Sequence, residues 1–241
     1  MNVNVIVIGG GPAGIITALT AKSVYPEKSV CVIKEIGDSV IPCAIPYMMH
    51  TLSDPKQNAM GNMPLEKAGI DIIVGKVVSF DPKAHSVTLE SGQVLNYERL
   101  VLATGTEPVL PPIPGIEKEG VFTIRKSMSA MTELREKVHE AKHVAIIGGG
   151  FIGAEFADEL SQGPKVDVHV IEVMPKILVA AFDDEFCDEV ATVLGSKGIH
   201  THCGNRVVSI ADIRTDSASI DKCGPSGLGE VAGHNQRIAF A

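Results

Sequence analysis

Two glycine turns, a cysteine between prolines and a few carboxylates are the residues here whose types and spacing could do chemistry. Gly9-x-Gly11-x-x-Gly14 follows the apolar β-branched run Val5-Ile6-Val7-Ile8 and opens a helix-like segment. The same construction returns as Val144-Ala145-Ile146-Ile147 followed by Gly148-x-Gly150-x-x-Gly153. In such a strand–turn–helix the first glycine permits the tight turn and the second lets a pyrophosphate approach the backbone. The third lets the helix pack closely on the strand, with its N-terminal N–H groups facing the anion. One copy is weak evidence and reads equally as a structural glycine turn. Two copies that agree in strand, spacing and helix point to two dinucleotide sites.

Each site needs a carboxylate at the end of its second strand to accept hydrogen bonds from a ribose. In the second half Glu172 ends the strand Val166 to Ile171, where the fingerprint wants it. In the first half Ser29 to Ile33 is followed by Lys34-Glu35. Here the acid falls one residue late or the strand shifts register, and Glu35 is the candidate. Cys43 lies in Asp38 to Tyr47, where Pro42 and Pro46 rule out a regular helix interior and suggest a shaped loop leading into a helix. A thiol near a helix N-terminus has its thiolate stabilised by the dipole, as a reactive cysteine needs. The residues alone leave that reading beside the plainer one, a small buried hydrophobe.

The elements that must hold these groups follow from periodicity. Ile15 to Val24 reads as a helix closed by Tyr25-Pro26, which completes a first βαβ unit. Asp71 to Ser79 and Ser86 to Leu89 read as strands of a small β-meander, and Leu100 to Gly105 as a further buried strand ending in small residues. The prolines of Pro108 to Gly115 mark a stiff linker and the best domain boundary. Ser127 to Ala141 reads as a helix with Glu133, Glu136, Lys137 and Glu140 outward. Gly153 to Ser161 and Asp183 to Leu194 follow as helices, with a short strand from Gly198. Beyond Ile210 no period persists, and no element is assigned to Asp212 to Ala241.

Composition narrows the function. At 241 residues, with 45% hydrophobic and 21% charged side chains, the chain is an ordinary globular one with room for one large or two ordinary α/β domains. A net charge of −8 and 4% aromatic residues without Trp disfavour nucleic acid as a partner. Met1 to Ala21 lacks charge, yet has no basic n-region and is interrupted by glycines and a proline, so neither a signal peptide nor a membrane span is expected. Cys31, Cys43, Cys187, Cys203 and Cys223 form no C-x-x-C pair and no zinc pattern, and cytoplasmic, reduced thiols are the expectation.

With two fingerprints, Leu102-Ala103-Thr104-Gly105, and a proline linker ending in Pro114-Gly115, the chain resembles the flavin-dependent pyridine nucleotide-disulfide oxidoreductases from residue 3 to about 210. Ser39-x-x-x-Cys43-Ala44-Ile45-Pro46-Tyr47 is similar to the single-cysteine branch, which contains coenzyme A-disulfide reductases, NADH oxidases and polysulfide reductases. The resemblance implies an α/β fold of two Rossmann-like dinucleotide-binding domains with a small β-meander, the three-layer FAD/NAD(P)-binding fold. Its expected domains are residues 1–115 for FAD, 116–211 for NAD(H) and an unassigned tail, 212–241.

It further implies that Gly9, Gly11, Pro12, Ala13 and Gly14 hold the FAD pyrophosphate, Glu35 its ribose, and that Ala103, Thr104 and Gly105 line the FAD site. Gly148, Gly150, Phe151, Ile152 and Gly153 would hold NADH, with Glu172 on the adenosine ribose. Glu155 matches the carboxylate placed near the nicotinamide or is a solvated helix residue, and Tyr47 lies near the thiol loop or in the core. Hydride would pass from NADH to FAD and on, through Cys43 as the redox residue, to a small-molecule acceptor: a disulfide such as coenzyme A-disulfide, a polysulfide, or oxygen.

Three departures matter. Asp38 stands where the two-cysteine branch has its partner thiol, which excludes a C-x-x-x-x-C disulfide reductase, and Pro12 stands where peroxide-reducing relatives carry a histidine. Family members also continue for about as long again, with a second flavin-contacting motif and a C-terminal domain that forms their homodimer. The competing expectation is therefore a truncated flavin- or nucleotide-binding fragment without turnover.

Overall fold

Burial on both faces is what the apolar run from Val5 to Ile8 asks for, and in the computed structural model it forms β1 (Asn2–Ile8), a central strand of a parallel sheet. The structure describes residues 2–163, 165–212, 228–233 and 237–240. The chain packs as two units, Met1–Pro42 with Ala59–Glu107, and Cys43–Asn58 with Pro108–Ala241.

In the first unit β1 leads to α1 (Pro12–Val24), β2 (Val30–Lys34), α2 (Met63–Lys67), β3 (Asp71–Val74), β4 (Val77–Asp81), β5 (Ser86–Leu89) and β6 (Val94–Leu102). The sheet order is β3-β2-β1-β6-β5-β4, with β2 and β6 flanking β1 in parallel and β4, β5 and the start of β6 antiparallel. Alternation sorts the side chains into two cores. Val7, Val30 and Val32 pack with Ala18 of α1 and Leu65 of α2, while Ile6, Ile8, Cys31 and Ile33 pack with Val87, Leu89 and Leu95 of the meander. Helices, parallel sheet and meander are thus three layers, as expected.

The second unit contains β7 (Val121–Phe122), α3 (Met128–Glu140), β8 (His143–Ile147), α4 (Phe151–Gln162), β9 (Asp167–Glu172), α5 (Asp184–Ser196), β10 (His200–Cys203), β11 (Arg206–Asp212), β12 (Leu228–Gly233) and β13 (Arg237–Phe240). Its five-stranded sheet, β10-β9-β8-β13-β7, is parallel throughout, and β11 and β12 form a separate parallel pair. Ser127 Oγ and the Asp183 carboxylate cap α3 and α5 by accepting from Ala130 N and Phe186 N at 3.3 and 3.1 Å. Such caps contribute about 1 kcal/mol each. No helix among the described residues is long and apolar enough to cross a membrane.

Three expectations change. Asp71 to Ser79 is two strands: Gly75 N donates to Lys34 O, the chain turns, and β3 and β4 join opposite ends of the strand order. Leu100 to Leu102 is the far end of one long strand, β6, that also closes the meander. The tail carries β12 and β13, the latter paired between β8 and β7; four residues are too few to display a period, and only sheet partners select them. By packing, Cys43–Asn58 groups with the second unit.

Both fingerprint crossings leave no room for a side chain. A Cβ at Gly14 would overlap the Gly9 carbonyl oxygen, and one at Gly153 the Gly148 carbonyl oxygen. Gly14→Ala and Gly153→Ala should each cost about 1–3 kcal/mol, with roughly 2–4 °C of melting temperature lost per kcal/mol. Gly61→Ala, whose Cβ meets nothing within 4 Å, should melt like the parent; equal melting of all three variants would refute the packing argument.

Candidate functional site

The two fingerprints build the same cradle in both units. Gly9 N donates to Ile33 O and Gly148 N to Ile171 O, each at 2.8 Å, and φ is +118° at Gly9 and +106° at Gly148, which a side chain would strain. Gly11 and Gly150 are the residues that enter α1 and α4, and a Cβ on either would meet nothing within 4 Å, so the space over each helix N-terminus is open. Pro12 and Ala13 lie exposed on the first turn of α1, and Phe151 and Ile152 on the first turn of α4. Ala103 N donates to Ile8 O at 2.8 Å and the Ala103 carbonyl sits against Gly9, so Ala103, Thr104 and Gly105 run beside the first turn. The residues fit a bound pyrophosphate at both cradles by backbone N–H and shape.

The carboxylate positions differ between the units. Glu172 ends β9 and both its oxygens are engaged: Gly149 N donates to Oε2 at 2.5 Å and Met174 N to Oε1 at 2.7 Å. Each oxygen keeps a second lone pair for a further donor. A cavity of about 490 Å³ opens there, lined by Gly148, Ile171, Glu172, Asn205, Arg206 and Ile113 among others. Lys176, close in sequence, is drawn away to the Asp188 carboxylate at 2.8 Å. In the first unit the matching position is Lys34, since Ile33 and Ile171 hold the equivalent glycines. Lys34 is buried beside Gly10 and donates to Asn62 Oδ1 at 2.9 Å; burial pushes its ammonium below the usual range, with the Asp38 charge opposing. Glu35 follows one residue later, exposed and 3.5 Å from the Lys76 ammonium. Of the two readings of that strand, β2 runs on through Lys34 and the acid is late.

Cys43 is exposed, in a three-residue 3-10 turn (Pro42–Ala44) followed by a second, Pro46–Met48, in place of the expected helix. So short a turn aligns few peptide dipoles, and accessibility is what the structure supplies. Tyr47 is exposed, while Met48 and Met49 are fully buried. Two side chains that sequence reading passed over hold this segment. Arg135 of α3 donates to Met48 O at 2.8 Å and Leu52 O at 2.7 Å, and buried Glu159 of α4 accepts from Thr51 N at 2.9 Å and Thr51 Oγ1 at 2.8 Å. An acid among Phe156, Ala157 and Leu160 was the legible signal, because a carboxyl on an apolar helix face needs partners. The other described thiols differ from Cys43. Burial pushes Cys31 up to about 11, with Asp71 adding to it, burial also raises Cys203, and Cys187 is buried; Cys223 lies outside the described residues. Glu155 is exposed on α4 just past the second fingerprint.

Two cradles, one on the parallel strands of a mixed sheet with a meander and one on a fully parallel sheet, define a protein with two dinucleotide-binding units of the flavoprotein reductase type. The sequence matches the pyridine nucleotide-disulphide oxidoreductase family over residues 3–225, and the chain belongs to that family. Its members bind FAD and NAD(P)H, and their acceptors include oxygen and persulfides. The chain is similar to an NADH oxidase of Methanocaldococcus jannaschii, 35% identical over 80% of this chain and 45% of the relative. It is also similar to an NAD(P)H coenzyme A polysulfide/persulfide reductase of Pyrococcus horikoshii, 35% identical over 78% and 43%. The solved NAD-dependent persulfide reductase from A. fulgidus superposes with a TM-score of 0.79 at 31% identity, covering 90% of this chain and 42% of that one. The chain thus spans less than half the length of these relatives.

The Glu159 clamp is testable. Glu159→Ala strips the partners from Thr51 N and Oγ1, and a hydrogen bond to a charged group contributes about 1.5–3 kcal/mol. Melting should fall accordingly, and brief proteolysis should cut within residues 43–58; an unchanged digest would show that the segment is held by other contacts.

Proposed function

We propose that the chain is the nucleotide- and thiol-bearing part of an FAD-dependent NADH oxidoreductase that reduces a sulfur acceptor, a disulfide or polysulfide, through Cys43. The observation that carries this reading is an exposed thiol on a segment pinned at Met48, Thr51, Leu52 and Ser53, in a chain that also has two open pyrophosphate cradles. Gly9, Gly11, Pro12, Ala13, Gly14, Ala103, Thr104 and Gly105 are the residues proposed to hold FAD, with Glu35 for its ribose. Gly148, Gly150, Phe151, Ile152, Gly153 and Glu172 are those proposed for NADH, with Glu155 beside the nicotinamide.

When bound, FAD takes the hydride of NADH and returns two electrons to the thiol site. The Cys43 thiolate attacks one sulfur of the acceptor, a Cys43–S–S–R bond forms as the acceptor S–S bond breaks, and the second sulfur leaves as a thiolate. Two electrons and a proton then regenerate Cys43 and release RSH. With oxygen as acceptor, a Cys43 sulfenate replaces the mixed disulfide. Relatives named as persulfide or polysulfide reductases and as NADH oxidases keep both acceptor classes in play, and the exposed thiol favours sulfur.

Cys43→Ser should abolish turnover with disulfide and polysulfide while leaving anaerobic reduction of bound flavin by NADH nearly intact, since serine is close in size but forms no disulfide. Full turnover with sulfur acceptors would refute the redox role, and Cys31→Ser, Cys187→Ser and Cys203→Ser serve as controls.

NADH should bind more tightly than NADPH. A 2′-phosphate 4 Å from Glu172 meets about 4 kcal/mol of repulsion per unit pair at an effective dielectric near 20, and a third of that is about tenfold. Glu172→Gln should erase most of the preference in a fluorescence titration; an unchanged ratio would remove Glu172 from the ribose site.

A further inference from the structure

At the opposite end of the second sheet from the nucleotide cradle, the pleat gathers three histidines around one carboxylate and sets a fourth against one of them. The register sets His143 of β8 against Asp167 of β9, and His200 of β10 against His169 of β9. His169 lies two residues past Asp167 and His202 two past His200, so all five side chains leave the same sheet face. His143 Nδ1 is 3.2 Å and His169 Nε2 3.1 Å from Asp167 Oδ2, and His200 Nε2 is 3.1 Å from Asp167 Oδ1. His169 Nδ1 lies 3.0 Å from His202 Nε2.

We propose that His143, Asp167 and His169, with His200 as fourth ligand, form a binding site for a divalent first-row metal ion, zinc above all. Three observations on geometry and chemistry support it. The donor atoms of His143, Asp167 and His169 all lie within 4.8 Å of one another. Bonds of about 2.0–2.1 Å in a tetrahedral site put neighbouring ligand atoms about 3.3 Å apart, close to the 3.1–3.2 Å separations of the three imidazole nitrogens from the Asp167 oxygens, and His200, on the other carboxylate oxygen, would swing in to complete the set. The set of imidazoles and one carboxylate is of the kind that binds zinc, nickel and copper, not magnesium or calcium. His202 completes the arrangement as a positioning residue: by accepting from His169 Nδ1–H it would leave the Nε2 lone pair free for the ion.

Access and isolation fit as well. The His143, Asp167 and His200 side chains are 37%, 40% and 56% exposed, so the site opens to solvent, while His169 is only 10% exposed and anchors it. Asp167 begins β9 and Glu172 ends it. Five residues at about 3.3 Å each separate the ion from the ribose carboxylate by roughly 16 Å. The site is therefore distinct from the nucleotide site, and binding uses imidazole and carboxylate lone pairs without redox change. An ion here would tie β8, β9 and β10 together.

Equilibrium dialysis of the full chain against Zn2+, with metal counted by mass spectrometry, tests this. One equivalent should bind with micromolar or tighter affinity, and Zn2+ at a hundredfold excess over its Kd should raise the melting temperature by several degrees. Asp167→Asn should weaken binding at least a hundredfold, as should His143→Ala with His200→Ala, a pair of exposed positions where folding is expected to survive. His202→Ala should weaken it about 10–100-fold, and His202→Gln, which restores an acceptor for His169 Nδ1–H, should recover part of that. Co2+ in place of zinc should show visible absorption without the intense band of a cobalt–thiolate bond. No stoichiometric binding, binding unchanged in the folded Asp167→Asn and double variants, or a thiolate band would each overturn the proposal.

Discussion

Everything in this chain depends on how closely two backbones can approach where a strand turns into a helix. The Gly9 carbonyl oxygen packs against Gly14, and the Gly148 carbonyl oxygen against Gly153, at distances that exclude a Cβ on Gly14 or Gly153. That contact brings the helix N-terminus directly over the end of the central strand and leaves Gly11 and Gly150 facing open space. The cradle is therefore a consequence of packing, and its anion preference comes from N–H groups that the helix itself cannot pair. The same contact explains why the chain can carry two such sites in two different sheets: each needs only a strand, a turn and a helix.

Around that shared device the two units diverge in what they place at the end of the second strand. Glu172 is held by two backbone N–H donors, so its carboxylate is oriented before any ligand arrives. Lys34, at the matching place in the first unit, is committed inward to Asn62, and the acid that follows it is exposed and paired with Lys76. A ligand in the first cradle would thus rely more on the turn and on Ala103–Gly105 than on a fixed carboxylate. The second unit pre-organises its polar contact; the first pre-organises chiefly its backbone.

The second sheet also shows how one set of parallel strands serves two ends. The carboxyl ends of β8 and β9 carry Gly148 and Glu172, as open α/β sheets generally present their ligands. Their amino ends carry His143 and Asp167, beside β10 with His200 and His202. Between them Val144, Ala145, Ile146, Val168 and Val170 are buried, so packed core separates the two ends. Arg135 and Glu159 add a third task, tying Cys43–Asn58 to α3 and α4 through backbone carbonyls and an amide.

The sequence by itself determined the two βαβ units, because glycine spacing and β-branched runs are local and admit few alternatives. It also marked Glu172, whose position follows from counting to the end of a strand, and Cys43, whose prolines set it apart. Tertiary structure alone decided the rest. Asp71 to Ser79 reads as one strand, and only the Gly75 contact with Lys34 O shows that its halves go to opposite edges. The strand β13 is four residues of a segment with no period, and pairing with β8 and β7 selects it. Arg135, Glu159 and Lys34 look like ordinary helix or strand charges until their partners, 83 and 87, 108 and 28 residues away, are brought to them. His143, Asp167, His169, His200 and His202 are scattered along the sequence and become one cluster because parallel register and a two-residue pleat put them on one face. Contacts of long sequence separation are fixed by how elements dock, and no local pattern encodes that docking.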